Sequence, residues 1–303
     1  MSPIPPPASQ VTLRDMMIAK PSLAFALDVA AGGVGDLKPL DGLIVLAVNQ
    51  ANIAPLRRDP EARERYGSLD APARDDERRR VSVSAIATSL SLPFETVRQR
   101  IRRLTEHGAC AVGPDGVYVP ASFLSSARYL ASVLFAYGRL KMMYEELARQ
   151  DLIGRMPKPN YDTSEAEPIR GAAGLVADYV LRVTEPFRAE AGDVVSTLML
   201  MALVVETLAR EEDETPPLST RALAERLKLP AETARRHVNG LVEAGLAVRR
   251  GRGLVLSRAA LHSPRMTLLL MQNPVHVKRL LDGLAERGIV ASWVGPASKA
   301  EVA

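Results

Sequence analysis

The feature that most constrains this 303-residue chain is that it matches itself. Leu90 and Leu227, Leu92 and Leu229, and Pro93 and Pro230 all stand 137 positions apart. The same shift sets Glu95, Thr96 and Arg98 on Glu232, Thr233 and Arg235, and Leu104, Glu106, Gly108 and Gly116 on Leu241, Glu243, Gly245 and Gly253. Upstream, Ser82, Ala85 and Ala87 fall on Ser219, Ala222 and Ala224; downstream, Leu124, Arg128, Lys141 and Leu147 fall on Leu261, Arg265, Lys278 and Leu284. The correspondence runs without a gap, and its shared Pro-x-Glu-Thr-x-Arg and paired glycines are not filler. Whatever the fold is, it contains one unit twice.

The unit is best read in its second copy. Ala234, Val238 and Leu241 recur at i, i+4 and i+7, one face of a helix. Pro230 suits the first helical position, Glu232 suits the positive end of the helix dipole, and Gly245 stops the helix. Two apolar runs, Leu246-Ala247-Val248 and Leu254-Val255-Leu256, flank Arg249-Arg250-Gly251-Arg252-Gly253 and read as a hairpin with a basic tip. Helices are expected at residues 81–90 and 218–227, capped by Ser82 and Ser219. A second pair is expected at 94–107 and 231–244, followed by hairpins at 110–119 and 246–256. Long helices should follow at 122–150 and 261–288, and core helices should precede each unit at 36–56 and 193–208. A helix over 11–30 should break at Pro21, and residues 31–35 read as a glycine hinge. The polar stretch 57–80 is expected to be an exposed, solvated insertion.

These readings give a mainly α fold with small β-hairpins, built as two pseudo-symmetric units with flanking packing helices. A tail is expected at 1–10, unit one at 11–154, a linker at 155–170 and unit two at 171–303. Apolar residues make up 47% of the chain, enough for a core in each unit, and aromatics only 4%, so Leu, Val, Ala and Met must fill them. The longest apolar run, 194–205, is too short to cross a bilayer, and the N-terminus lacks a signal-peptide pattern. A cytoplasmic, nucleoid-associated protein with no membrane partner is expected. The single cysteine, Cys110, excludes an internal disulfide and reads as a small buried residue. None of the four histidines sits in a catalytic or metal-binding pattern, so neither enzyme activity nor a cofactor or metal is expected. A net charge of +4 permits a polyanionic partner.

With Val97, Ile101 and Leu104 turned inward, Gln99 and Arg102 face outward, flanked by Arg98 and Arg103. In the second copy Arg236 and Asn239 face outward, flanked by Arg235. Arg reads guanine O6/N7, and Asn or Gln reads adenine N6/N7, in the major groove of duplex DNA. Arg98 and Arg235, with Arg250 and Arg252 on the second hairpin, are expected on phosphates. The first hairpin tip, Gly113-Pro114-Asp115-Gly116, carries an acid and no base, so it should grip DNA weakly.

The stretch LSTRALAERLKLPAETARRHVNGLVEAGLAVRRGRG resembles the winged helix-turn-helix modules of the GntR, IclR and MarR groups of bacterial transcription regulators. The resemblance covers roughly 40 residues of each unit and marks the module rather than one family. It implies Thr96, Arg98, Thr233 and Arg235 as DNA contacts. The expected function is sequence-specific binding of double-stranded DNA in transcription regulation, at two half-sites about one helical turn apart. Pairing of two chains into a homodimer stays open, and the sequence names no small-molecule effector. Two rival readings are a replication initiator bound to origin repeats and a winged-helix protein-interaction factor of chromosome segregation.

Overall fold

The computed structural model describes residues 11–160, 168–209 and 216–293. The expected tail, the middle of the expected linker and most of the connection 210–217 lie outside these. The described chain is mainly helical, with two small antiparallel two-stranded sheets. In order, the elements are α1 (Leu13–Gly32), α2 (Pro39–Ile53), α3 (Pro60–Arg65), α4 (Val83–Ser89), α5 (Phe94–Glu106), β1 (Ala111–Gly113), β2 (Gly116–Tyr118), α6 (Ala121–Leu124) and α7 (Ala127–Arg149). Then come α8 (Ile169–Ala191), α9 (Val194–Leu208), α10 (Thr220–Arg226), α11 (Ala231–Glu243), β3 (Ala247–Arg250), β4 (Gly253–Leu256), α12 (Arg258–Leu261), α13 (Pro264–Glu286) and α14 (Ile289–Trp293). Among the described residues, no single helix is long and apolar enough to cross a membrane.

The order helix, helix, hairpin, short helix, long helix occurs twice, and the local geometry agrees in detail. Ser82 Oγ accepts from Ala85 N–H at 3.1 Å, and Ser219 Oγ from Ala222 N–H at 3.0 Å, so both expected caps are present. Each first helix ends in a left-handed residue that is not glycine, Ser91 (φ 45) or Lys228 (φ 52). Leu92 N–H donates to Ala87 O and Leu229 N–H to Ala224 O, both at 2.9 Å. These are Schellman closures, which turn the chain sharply into the next helix. Gly108 (φ 69) and Gly245 (φ 70) end α5 and α11 by the same closure. A third segment touches each hairpin through a single bridge, Val81 to Val117 and Leu218 to Leu254. There is no room for a side chain at that contact: a Cβ on Gly116 would lie 2.6 Å from Val81 O, and one on Gly253 2.9 Å from Leu218 O.

Several expectations need correction. Pro230 and Pro93 are cap residues, one position before the helix. Helix α1 runs through Pro21 without ending. The proline removes one i→i−4 bond, but Leu23, Phe25, Ala26 and Leu27 on the next turns are almost fully buried, and their burial holds the helix together. The long helix expected at 122–150 is divided into α6 and α7, and the one expected at 261–288 begins only at Pro264. Ser126 and Ser263 cap α7 and α13 with their hydroxyls, accepting from Tyr129 and Met266, and so divide them from α6 and α12. The stretch 57–80 is not wholly solvated. It contains α3, and Arg78 is buried, its guanidinium donating to Ala73 O at 3.0 and 3.1 Å and to Asn49 Oδ1 at 3.1 Å.

The apolar interior falls into two clusters. One joins α2, α4, α5, the first hairpin and the start of α7. The larger one takes in α1, the rest of α7 and the elements from α8 to α14. Helices α8 and α9 meet at 102° across Gly192. Helix α1 packs on α7, α8, α9 and α13, and α8 packs on α2, α7, α9 and α13. The long helices α7 and α13 therefore pack on the α1–α8 pair rather than chiefly on each other. A buried polar chain clips this centre: Tyr179 Oη donates to Asn273 Oδ1 at 3.0 Å, Asn273 Nδ2 to Ser22 Oγ at 2.7 Å, and Ser22 Oγ to Ile18 O at 2.7 Å. Each of these buried groups has its partner, as burial requires.

Candidate nucleic-acid interface

Helices α5 and α11 are amphipathic in the way their periodicity dictates. Val97, Ile101 and Leu104 are buried on one, and Ala234, Val238 and Leu241 on the other. Their opposite faces are in solvent. Gln99, Arg102, Arg103, Arg98, Arg235 and Arg236 are exposed, as are Arg250 and Arg252 on the second hairpin. Thr96 and Thr233 are half-buried near the helix starts.

Each helix is held against its core helix by a polar clamp on the residue next to the buried stripe. Arg100 reaches Asp41 of α2, with Nη1 3.1 Å from Oδ1. At the corresponding place, His237 Nδ1 lies 3.0 Å from Ser196 Oγ and 3.3 Å from Asp193 Oδ2 at the start of α9. Arg100 and His237 therefore brace the helices and do not face outward.

Two of the arginines expected on phosphate already hold an acid. Arg98 grips Glu95 with two hydrogen bonds of 2.8 and 2.7 Å, and Arg235 grips Glu232 at 2.9 and 2.8 Å. Hydrogen bonding by Arg98, aided by Gln99 at 3.1 Å, holds the Glu95 carboxyl down at about 2. Arg235 lowers Glu232 in the same direction. The pairs orient their guanidiniums, and a phosphate must compete with a neighbouring carboxylate for them. Arg102 stands 3.6 Å from Glu106 in an exposed pair that water and salt screen.

In the second copy the hairpin and helix are joined by a residue outside the expected set. Arg249 Nη2 donates to Asn239 Oδ1 at 2.7 Å, and Asn239 is half-buried. The signal was in the strand alternation. Ala247 is buried against the helix, so Arg249, two positions on, shares its face, while Val248 and Arg250 point away. Arg252 lies at the two-residue turn, beside Gly251 in the left-handed region (φ 58). Arg236, Arg249, Arg250 and Arg252 thus gather positive charge on one helix and its hairpin. The first hairpin ends at Pro114-Asp115, but it is not without a base nearby: the Arg80 guanidinium lies 3.6 Å from the Tyr118 ring centre. Cys110 is buried, and burial, with Asp41 nearby, pushes its thiol up to about 12, so it is inert.

No protein-family model matches this chain, and neither a curated protein nor a solved structure shows significant similarity to it.

Proposed function

We propose that the two matching sets of elements are winged helix-turn-helix units derived by internal duplication, and that the chain is a sequence-specific double-stranded DNA-binding transcriptional regulator. The observation that carries this reading is the repeated first helix, Schellman turn and second helix, each copy presenting an arginine-bearing face to solvent. In the second copy an adjoining hairpin adds Arg249, Arg250 and Arg252. Helices α5 and α11 enter the major groove, where Gln99 and Arg102, and Arg236 with Asn239, read base edges. Arg103, Arg250 and Arg252 neutralise phosphate, and Arg98 and Arg235 do so on exchanging their carboxylate partners. Because Gln99 and Arg102 differ from Arg236 and Asn239, the two half-sites differ in sequence.

The test is selection of duplexes from a random pool by the full chain, followed by titration of one selected and one scrambled duplex at several salt concentrations. The reading expects an enriched bipartite site, tighter binding to it, and a logarithmic affinity that falls linearly with the logarithm of salt. Failure to enrich any sequence would sink it.

A second reading has one observation in its favour. The first hairpin tip is acidic at Asp115, and the arginines of both helices are half-neutralised by Glu95 and Glu232. A protein-binding surface on unit one would use such a face. Under that reading, changes in α5 leave DNA affinity untouched while those in α11 reduce it.

A further inference from the structure

A cavity opens between α2 and α8, walled also by α1 and α7 and by the segment that carries α3. About 150 Å³ inside it is open to the centre of a water-sized sphere. The counterpart packing in the other half of the molecule is closed. On α9, every residue from Leu198 to Val205 is buried against α1 and its neighbours, whereas on α2, Leu43, Leu46 and Ile53 stay only half-buried. The opening comes from side-chain size. Helix α8 presents Gly171, Ala173, Gly174 and Ala177 here, and a methyl group added at Gly174 would only just touch Ile53 Cδ1, at 3.9 Å.

The chemistry of the walls is lopsided. They are mostly aliphatic, and their charged residues are six arginines with no Asp or Glu. Arg78 and Arg170 converge near Tyr129. Arg78 donates to Ala73 O and Asn49 Oδ1, and Arg170 to the carbonyls of Ser68, Leu69 and Leu124. None of these acceptors is a carboxylate. The nearest acid, Asp75, lies 3.8 Å from Arg78 Nε, and its Oδ1 already accepts from Ala121 N–H at 2.7 Å. Burial lowers the pKa of Arg57, Arg78 and Arg170, the mark of positive charge held out of water. Asp178 near Arg57, Asp75 near Arg78 and Asp70 near Arg170 offset that burial only in part, and a bound anion would offset more of it.

We propose that this cavity binds an apolar molecule with an anionic head, the head beside Arg78 and Arg170 and the body along Leu46, Ala173 and Val180. A mostly apolar cleft with a few convergent polar groups is the usual form of a small-molecule site. The site also touches the parts that hold α5. Arg188 lines the cavity and donates from Nη1 to the carbonyl of Ser91, 3.2 Å away, the left-handed residue between α4 and α5. Helix α2, the opposite wall, carries the Asp41 that clamps Arg100. Occupancy therefore shifts DNA affinity, a consequence that rests on the function proposed above, whereas binding itself does not.

Calorimetric titration of the full chain with dodecanoate below its micellar concentration tests the site, with dodecanol and dodecyltrimethylammonium as matched controls. One equivalent of dodecanoate should bind, at least tenfold more tightly than either control. Arg170→Gln should weaken it several-fold, and Ala173→Phe, which fills the gap, should abolish it. Leu46→Phe fills the gap from the other wall, so a misfolded Ala173→Phe, recognised by its thermal transition, leaves the test intact. Absence of binding, equal binding of the alcohol or the cation, or full binding to a folded gap-filling variant would overturn the proposal. Duplex titrations with and without dodecanoate then read the coupling. A chain that binds dodecanoate as described but no DNA under any condition refutes the regulator and leaves the site standing.

Discussion

Glu95 and Glu232 are the residues on which the behaviour of the outward-facing Arg98 and Arg235 turns. The carboxyl of Glu95 is held near 2, below its ordinary 4.5, by Arg98. A depressed carboxylate contributes stability above its unfolded pKa, and that contribution is lost as pH falls through the folded value. The pair should thus persist at neutral pH and weaken between about 4.5 and 2. A carbon-13 titration of the Glu95 carboxyl checks this, and a midpoint near 4.5 would show the pair absent in solution. The pairing was legible, since Glu and Arg three apart on a helix are neighbours. Reading each arginine only for its external partner passes over it. For the second hairpin, Arg250→Ala with Arg252→Ala should weaken binding to selected and scrambled DNA alike and flatten the salt slope by about two. Unchanged affinity at every salt concentration would remove the hairpin from the interface.

Among the elements, the helix pairs and hairpins were legible because serine caps, the two glycines and the 3.6-residue period all point to the same boundaries. The starts of the long helices were not, because Ser126 and Ser263 sit inside continuous apolar periodicity, and only their cap geometry marks the break. The closed turn at Ser91 and Lys228 was equally hidden, since neither residue type announces a left-handed conformation. The bridge beneath each hairpin gives a direct test. Gly116→Ala and Gly253→Ala would force a methyl group to within 2.6 and 2.9 Å of a carbonyl oxygen. Each should destabilise the protein by about 1–3 kcal/mol in denaturant titrations, and a neutral outcome would mean the bridge is open in solution. Helix α11 offers a sharper distinction. Asn239→Ala should cost roughly 1–3 kcal/mol on the selected duplex and little on a scrambled one, whereas Arg235→Ala should weaken both. Equal losses for Asn239→Ala would assign it to bracing Arg249 instead of reading a base.

At the scale of the whole molecule, the matching stretches of sequence do not say how the two sets of elements are joined. Their junction is the α1–α8 pair, and the buried chain Tyr179–Asn273–Ser22 crosses it. Nothing in the local pattern marks Asn273 as central, because its partners lie far away along the chain. Asn273→Ala should leave the Tyr179 hydroxyl without its acceptor, while Ser22 keeps Ile18 O, and cost about 1–3 kcal/mol, read from the thermal or denaturant transition. A loss within error would show that water replaces the amide. The seating of α1 on α9 and α13 also has a consequence for synthesis. Leu23, Phe25 and Leu27 are made before α9 and α13, two of the helices that cover α1. At ordinary elongation rates, roughly 10–30 s separate the appearance of α1 from that of α9. During that interval part of the apolar face of α1 has no native cover, so closure of the larger core waits for the second half of the chain.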